Sequence, residues 1–229
     1  MFKDATIVFD LDGTLVDTAP DLTNALNDVL TRRGHAAVSA ETIRACVGHG
    51  ARIMIEEALR RASAEDDVDT MLAAFLVHYE ANIAAESRPF PGAVAALDSL
   101  AARGATLAVC TNKREHSSRR LLQALRIDHY FSAIAGRDIF PVSKPDPGHL
   151  TGVIALAGGK PSRAVMVGDS DIDLRAAKAA SVPAILVSFG YAASPLEVLA
   201  PEAVIDHFDE LEARAATLLN GRGASPSPA

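Results

Sequence analysis

Two acidic residues, Asp10 and Asp12, follow a short apolar run in the segment VFDLDGTLVDT, residues 8–18. A turn needs one acid and a glycine, whereas two carboxylates that share a space repel each other unless a cation holds them. A carboxylate beside a metal ion can attack phosphorus, and a second carboxylate nearby can donate and accept a proton. The pair therefore predicts phosphoryl chemistry, with Asp10 as the nucleophile and Asp12 as the acid/base.

Three further segments carry polar residues where predicted strands end or lead into loops. They are Thr111-Asn112-Lys113, Lys144 in VSKPDP, and Asp169 in GDSDID. A hydroxyl and a fixed positive charge suit the oxygens of a transferring phosphoryl group, so Thr111, Asn112 and Lys144 are predicted to bind phosphate. Carboxylate oxygens from Asp10 and Asp169, with a backbone carbonyl, suit Mg²⁺ as the cofactor.

The elements that position these residues are read from the pattern of apolar runs. Strands are predicted at 4–10, 105–111, 132–136, 164–169 and 184–189, and after residue 89 they alternate with helices. This alternation predicts an α/β fold with a Rossmann-like parallel sheet covered by helices on both faces. Because ligands bind outside the carboxyl ends of such strands, the polar segments should converge on one cleft.

The region between the first strand and residue 89 has a different pattern of apolar residues. Apolar residues recur there at helical spacing in LTNALNDVLTRRG, IRACVGHGARIMIEEALRRA and MLAAFLVHYEANIAA, with no convincing strand between them. We therefore expect an α/β core from residues 1–16 and 89–219, an inserted helical cap at 17–88, and a disordered tail at 220–229. Proline and glycine near 16–20 and 87–92 mark the expected hinges.

The composition narrows the class of protein. The chain has 229 residues, a net charge of −7 and only two cysteines. Nucleic acid and anionic membranes need a basic surface, so neither is expected as a partner. With no apparent leader segment, membrane span, CxxC spacing or zinc-binding histidine pattern, we expect a cytoplasmic protein that acts on a small phosphorylated metabolite.

The motifs DxDGT at a first strand end, a Thr at the second, a Lys-Pro and GDxxxD resemble, in this order, the haloacid dehalogenase superfamily. The resemblance runs from residue 4 to about 219, and the helical insertion lies where that family has its type 1 cap. It implies Asp10, Asp169, the backbone carbonyl of Asp12 and, through water, Asp173 as the metal site. The dehalogenases lack an acid at the place of Asp12, so the resemblance implies a phosphotransfer member.

A finer resemblance, to the phosphoglycolate phosphatases, rests on TNK, KPDP, VGDS and the cap phrase VGHGAR, residues 47–52. It implies a cap that reads the non-phosphate end of the substrate. Arg52 and Lys113 are predicted to meet a small carboxylate, since an arginine fork matches one with two hydrogen bonds. His49 lies in the same cap phrase and is a further candidate for substrate contact.

Several alternatives stay open at this level. The same core serves sugar-phosphate phosphatases, nucleotidases, pyrophosphatases and mutases, which differ in the cap. A phosphoryl-accepting signalling receiver also combines acids, Mg²⁺, a Thr and a Lys on a parallel sheet, but the length, the insertion and Asp12 oppose it. A binding protein that has lost catalysis is a third class, and the sequence leaves monomer and homodimer open.

Overall fold

A computed structural model describes residues 2–191 and 195–221 of the chain. Within these residues six parallel strands form one sheet in the order β5-β4-β1-β6-β7-β8, and β2 and β3 form a separate antiparallel pair. The strands are β1 Thr6–Phe9, β2 Val16–Asp17, β3 Arg88–Pro89, β4 Thr106–Cys110, β5 Phe131–Ala135, β6 Ala164–Gly168, β7 Ala184–Val187 and β8 Ala203–Ile205. The sheet confirms the predicted α/β fold class, and its strand order reverses between β1 and β6.

The helices of the described residues are α1 Ala19–Arg32, α2 Ala40–Arg44, α3 Ala51–Arg61, α4 Val68–Ala81, α5 Ala93–Ala102, α6 Glu115–Ala124, α7 Pro147–Leu156, α8 Asp171–Ala179, α9 Leu196–Leu199 and α10 Leu211–Gly221. Helices α5, α6 and α10 lie against one face of the sheet, and α7 and α8 lie against the other. Successive side chains of a strand point to opposite faces, so Ile7 and Phe9 pack with α5, α6 and α10, while Val8 packs with α7 and α8. β1 is therefore buried on both sides, and it holds the residue that follows it in a fixed place.

Helices α1 to α4 form the inserted segment, residues 17–88, which we call the cap segment. Helices α1 and α4 pack along each other through buried side chains that include Leu26 and Phe75. The rings of Phe75 and Tyr79 stack in α4 with centroids 5.9 Å apart. The helices of the cap segment thus pack on one another through apolar side chains, which belong to the same buried cluster as those on one face of the sheet.

The stretch at residues 43–62 differs from the sequence expectation. Its helical spacing is interrupted, because α2 ends at Arg44 and α3 begins only at Ala51. Gly48 and Gly50 lie in the interruption with φ of +92° and +96°, a region that favours glycine and that no helix uses. The two glycines of VGHG therefore form a loop at the edge of the cap segment.

The points where the chain leaves and re-joins the core lie side by side. Val16 pairs with Pro89 and Asp17 with Arg88 in the antiparallel pair of β2 and β3, which the sequence pattern did not predict. The buried carboxylate of Asp21 accepts hydrogen bonds from the backbone N–H groups of Glu86 and Ser87. These contacts tie the two connections to each other.

The end of the described chain differs slightly from the prediction. Helix α10 extends to Gly221, two residues into the predicted tail, and the rest of that tail lies outside the described residues. No helix in the described part of the chain has both the length and the apolarity that a membrane crossing requires.

Candidate active site

The predicted polar residues meet at the carboxyl ends of three neighbouring strands. Asp10 follows β1, Thr111 follows β4 and Asp169 follows β6, and all three residues are buried. Hydrogen bonds such as that from the Asp10 N–H to the Val167 carbonyl, 2.9 Å, continue the strand pairing up to this point. The sheet thus brings together residues that are about 160 positions apart in the sequence.

Three carboxylates form the centre of the site. Asp10, Asp169 and Asp173 each offer an oxygen within 4.8 Å of the other two. The ammonium of Lys144 lies 2.9 Å from Asp10 Oδ1 and 2.6 Å from Asp173 Oδ1. One buried cation therefore faces three buried acids, and the cluster carries more negative than positive charge.

The pKa values of the acids reflect this imbalance. Burial raises the pKa of Asp10 to about 7, with the attraction of Lys144 opposing the shift and the nearby charges of Asp173 and Asp12 adding to it. Burial, together with the charges of Asp173 and Asp10, raises the pKa of Asp169 well above its usual value. A cation bound among these oxygens would offset the repulsion. The donor set, made only of carboxylate oxygens, therefore fits a hard metal ion.

The contacts of Asp173 show what its carboxylate does in the fold. Its Oδ2 accepts hydrogen bonds from the backbone N–H groups of Asp169 and Ser170 and from the Ser170 hydroxyl, at 3.3, 3.2 and 2.7 Å. The bond from the Ser170 N–H is one half of a capping box at the start of α8, and in the other half the Ser170 side chain accepts from the Asp173 N–H. Since Oδ1 contacts Lys144, Asp173 joins the start of the helix to the buried lysine.

Asp169 is held from the other side of the site. Its Oδ2 accepts a 2.7 Å hydrogen bond from the Tyr191 N–H, and its Oδ1 accepts one of 3.2 Å from the Thr14 hydroxyl. The Tyr191 hydroxyl donates to Asp17 and accepts from the Ala19 N–H at 3.0 Å. Tyr191, which sequence reasoning missed, thus connects the carboxylate cluster to the beginning of the cap segment.

Asp12 pairs with Lys113, a contact that the sequence did not predict. The Lys113 ammonium lies 2.8 and 2.9 Å from the two oxygens of Asp12 and 4.7 Å from the centre of the Tyr79 ring. Burial alone would lower the pKa of Lys113, but the attraction of Asp12 raises it. Lys113 is therefore positively charged and forms a buried ion pair with Asp12.

Thr111 and Asn112 lie beside these acids, with part of their hydrogen-bonding capacity already used. The Thr111 hydroxyl accepts a hydrogen bond from the Lys113 N–H at 3.2 Å. The Asn112 amide donates to the carbonyls of Gly48 and Lys144 at 2.9 and 3.0 Å, and its buried Oδ1 has no hydrogen-bond partner in the described residues. Asn112 therefore links the core to the glycine loop of the cap segment.

A cavity of about 500 Å³ opens between the core and the cap segment. Asp10, Asp12 and Thr111 line its core side, whereas apolar residues of the cap segment line the opposite side. Its size is typical of a site for a small molecule. A smaller cavity of about 200 Å³ lies next to it and is lined by Lys144 and His49 among others.

The three specificity candidates lie in different surroundings. Arg52 lines the larger cavity, but its guanidinium already pairs with the exposed Asp69. Lys113 lines the same cavity and is engaged by Asp12. His49 lines only the smaller cavity. The structure therefore brings two of the three to the space between core and cap, and both have carboxylate partners there.

Two further residues at this cavity were missed by sequence reasoning, Tyr79 and Arg137. Tyr79 fits the apolar spacing of α4, so nothing in its pattern separates it from a core residue. Arg137 follows β5 in the segment AGRD. The rule that ligands bind at the carboxyl ends of strands could have found it, had it been applied to this strand as to its neighbours.

Comparison with known proteins places this geometry among related chains. Residues 7–187 match the model of the family described as haloacid dehalogenase-like hydrolase. The phosphoglycolate phosphatase of Mesorhizobium japonicum is 49% identical over 208 residues, which cover 90% of this chain and 92% of that protein. The phosphoglycolate phosphatase of Agrobacterium fabrum is 45% identical over 221 residues, or 95% of each chain.

A solved structure shares the whole arrangement. The crystal structure of a predicted phosphoglycolate phosphatase from Haemophilus somnus 129PT superposes with a TM-score of 0.87 at 29% sequence identity. The match covers 93% of this chain and 98% of that one. The likeness therefore extends over the core and the cap segment together.

Proposed function

Because the chain belongs to the haloacid dehalogenase-like hydrolase family and is a phosphatase, we propose that it hydrolyses a small phosphomonoester, with 2-phosphoglycolate as the first candidate. The observation that carries this proposal is the pair of buried carboxylates, Asp10 and Asp12, facing a cavity that also holds Thr111. The two relatives that are named phosphoglycolate phosphatase, at 49% and 45% identity, support the choice of substrate.

Asp10 is the proposed nucleophile. Its Oδ1 is engaged by the Leu11 N–H at 2.7 Å and by Lys144, while no hydrogen bond in the described residues involves its Oδ2. This free oxygen would attack phosphorus, and the bond from phosphorus to the substrate's ester oxygen would break. The product of this step is an aspartyl-phosphate on Asp10.

Asp12 is the proposed acid/base. In the first step it would give a proton to the leaving alkoxide, and in the second it would take one from the water that attacks the aspartyl-phosphate. Phosphate then leaves and the Asp10 carboxylate is restored. The two Asp12 oxygens lie 2.8 and 2.9 Å from the Lys113 ammonium, so each proposed proton transfer requires that one of them leave this contact.

Thr111, Asn112 and Lys144 are proposed to hold the phosphoryl oxygens. Lys144 is buried and held by Asp173, so its charge is available without reorganisation as negative charge spreads over those oxygens. The Thr111 hydroxyl lies at the end of the neighbouring strand and can donate to an oxygen. The role proposed for Asp173 is to position Lys144 and to contribute, through water, to metal binding.

Mg²⁺ is the proposed cofactor. Asp10 and Asp169 would hold it with the backbone carbonyl of Asp12, since a small hard cation prefers a few carboxylates with water and phosphate oxygens. When bound, the ion supplies positive charge that offsets the charge of the acids and of the phosphoryl group. The raised pKa values of Asp10 and Asp169 support a cation at this place.

The division of labour between core and cap is also part of the proposal. The core, residues 1–16 and 89–219, would carry the chemistry, and the cap, residues 17–88, would close over the substrate and exclude water. The apolar cap side of the cavity, which includes Leu72 and Leu76, supports this role. Small phosphorylated metabolites are then the substrates expected.

The test is phosphate release by the purified protein across a panel of small phosphomonoesters and pyrophosphate, with Mg²⁺ or with EDTA. We expect phosphoglycolate to have the highest kcat/KM and expect chelation to abolish turnover. If a sugar phosphate, a nucleotide or pyrophosphate is the best substrate, the proposal of phosphoglycolate is wrong, while the proposed chemistry of Asp10 and Asp12 stands. Activity that is insensitive to EDTA would overturn the proposal that the enzyme needs Mg²⁺.

A further inference from the structure

The larger cavity is lined by four basic residues, two of which already have anionic partners. Lys113 pairs with Asp12, and Arg52 pairs with Asp69. The side chains of Arg114 and Arg137 have no ion pair or hydrogen bond in the described part of the chain. The charge that is available for a new anion in this cavity is therefore that of the two unpaired arginines.

Arg137 differs from Arg114 in its position relative to the proposed phosphoryl site. Arg137 lines both cavities, a position it shares only with Asn112 among the lining residues, and the smaller cavity also contains Lys144. Arg114 lines only the larger cavity. The guanidinium of Arg137 thus lies on the boundary between the two spaces, beside the residues that are proposed to hold phosphate.

The backbone at Arg137 is fixed although the side chain is exposed. The Arg137 N–H donates a 3.0 Å hydrogen bond to the Lys113 carbonyl. A Cβ on the preceding Gly136 would lie 2.1 Å from the Glu115 nitrogen, so the chain approaches its neighbour more closely than any other residue allows. The base of the arginine side chain is therefore held against the loop that carries Thr111 and Lys113.

The tip of the side chain reaches the cap segment. A Cβ on Gly50 would lie 2.8 Å from Arg137 Nη1, so the missing side chain of this glycine leaves room for the guanidinium. Arg137 consequently extends from the core to the glycine loop of the cap segment. A substrate with its phosphoryl group beside Thr111 and Lys144 would have its carbon end in this region.

We propose that Arg137 determines specificity by binding the carboxylate of the substrate. The inference rests on the proposed function, because it names the residue that reads the non-phosphate end of a phosphorylated acid. A planar guanidinium can give a carboxylate two parallel hydrogen bonds, which a methyl group in the same place cannot accept. Arg137 therefore distinguishes phosphoglycolate from a phosphate ester of similar size that has no carboxylate.

The experiment compares phosphoglycolate with ethyl phosphate, which has the same two-carbon chain and no carboxylate. Steady-state kcat and KM are measured for the natural enzyme, for Arg137→Gln and for Arg137→Lys. Arg114→Gln serves as the cavity comparison, and Arg214→Gln, an exposed change on α10, is the matched control. Circular dichroism and the melting temperature show whether each variant is folded.

We expect Arg137→Gln to raise the KM for phosphoglycolate by roughly tenfold to a hundredfold, since hydrogen bonds to charged groups are the strong ones. The KM for ethyl phosphate and the inhibition by inorganic phosphate should change by less than about twofold, because neither ligand has a carboxylate. Arg137→Lys should retain part of the preference for phosphoglycolate, and Arg214→Gln should retain all of it.

Two results would overturn the inference while leaving the proposed function intact. One is a natural enzyme that prefers phosphoglycolate and an Arg137→Gln variant with the same preference. The other is an equal loss on both esters, which would assign Arg137 to phosphate binding or to cap position. A natural enzyme with no preference for phosphoglycolate would instead overturn the proposed substrate, and the inference with it.

Discussion

The core side and the cap side of the cavity are stabilised by different interactions. On the core side, buried charges contact one another, as in Lys144 with Asp10 and Asp173. On the cap side, the wall is mainly apolar, and its main buried polar group, the Tyr79 hydroxyl, has no hydrogen-bond partner among the described residues. The core side therefore depends on individual charged atoms, whereas the cap side depends on the shape of its apolar wall.

This contrast has an energetic basis. A buried charge that loses its partner costs several kcal/mol, because neither water nor a neighbour replaces the contact. Apolar contacts are individually small and tolerate a change of one polar atom much better. Substitutions of matched size on the two sides of the cavity should therefore differ in effect, and three such changes test the contrast.

The largest effect is expected from Asp10→Asn on the core side. The amide has nearly the same shape but cannot serve as the nucleophile, so turnover of phosphoglycolate should fall by on the order of a thousandfold or more. Phosphate release measures the loss, and circular dichroism should show an intact fold. Asp171→Asn, on the half-exposed acid that pairs with Arg175, is the matched control and should retain activity. An active Asp10→Asn variant would show that Asp10 is not the nucleophile.

The second effect is on stability and comes from Lys144→Met. The change leaves Asp10, Asp169 and Asp173 without their buried cation, so the free energy of unfolding in EDTA should fall by about 3–5 kcal/mol. Added Mg²⁺ should restore part of this loss, because an ion that binds the folded state stabilises it. Urea denaturation measures both, with the exposed Lys160→Met as control. A variant as stable as the natural protein in EDTA would mean that Lys144 does not stabilise the buried acids.

The smallest effect is expected on the cap side, from Tyr79→Phe. Removing a buried hydroxyl without a partner should leave the free energy of unfolding unchanged or raise it by up to about 1 kcal/mol. Tyr130→Phe is the comparison, because the Tyr130 hydroxyl donates to Asp98 at 2.5 Å, and its removal should lower stability slightly. Urea denaturation of both variants measures whether each change raises or lowers the free energy of unfolding. A loss above about 1 kcal/mol in Tyr79→Phe would mean that the hydroxyl has a partner.

The same contrast explains how much of the molecule was predictable from sequence. The alternation of apolar runs predicted the parallel sheet, because strands such as β1, β6 and β7 are buried on both faces and read as continuous apolar segments, whereas the partly exposed β8 was missed. Asp10, Thr111 and Asp169 each follow a strand directly, so the topology alone implied that they meet. The positions of residues that directly follow a strand of the sheet can thus be predicted from local sequence patterns.

Side-chain partners were not readable in this way. Nothing local pairs Lys113 with Asp12, which is 101 positions away, or Arg52 with Asp69, since long flexible side chains choose partners only in the folded state. The two-residue strands β2 and β3 are too short to give a pattern. The helical spacing at 43–62 hid a loop because it continued across glycines whose φ angles a helix does not use.

The pairing of β2 with β3 has a consequence for the segment inserted between them. Asp17 and Arg88 are neighbours in space although they are 71 positions apart in the sequence. A tight turn of two residues is enough to join two antiparallel strands, so the chain leaves and returns at one place on the sheet. Changes in the length of the helical segment between these strands therefore need not alter the strand pairing of β2 with β3.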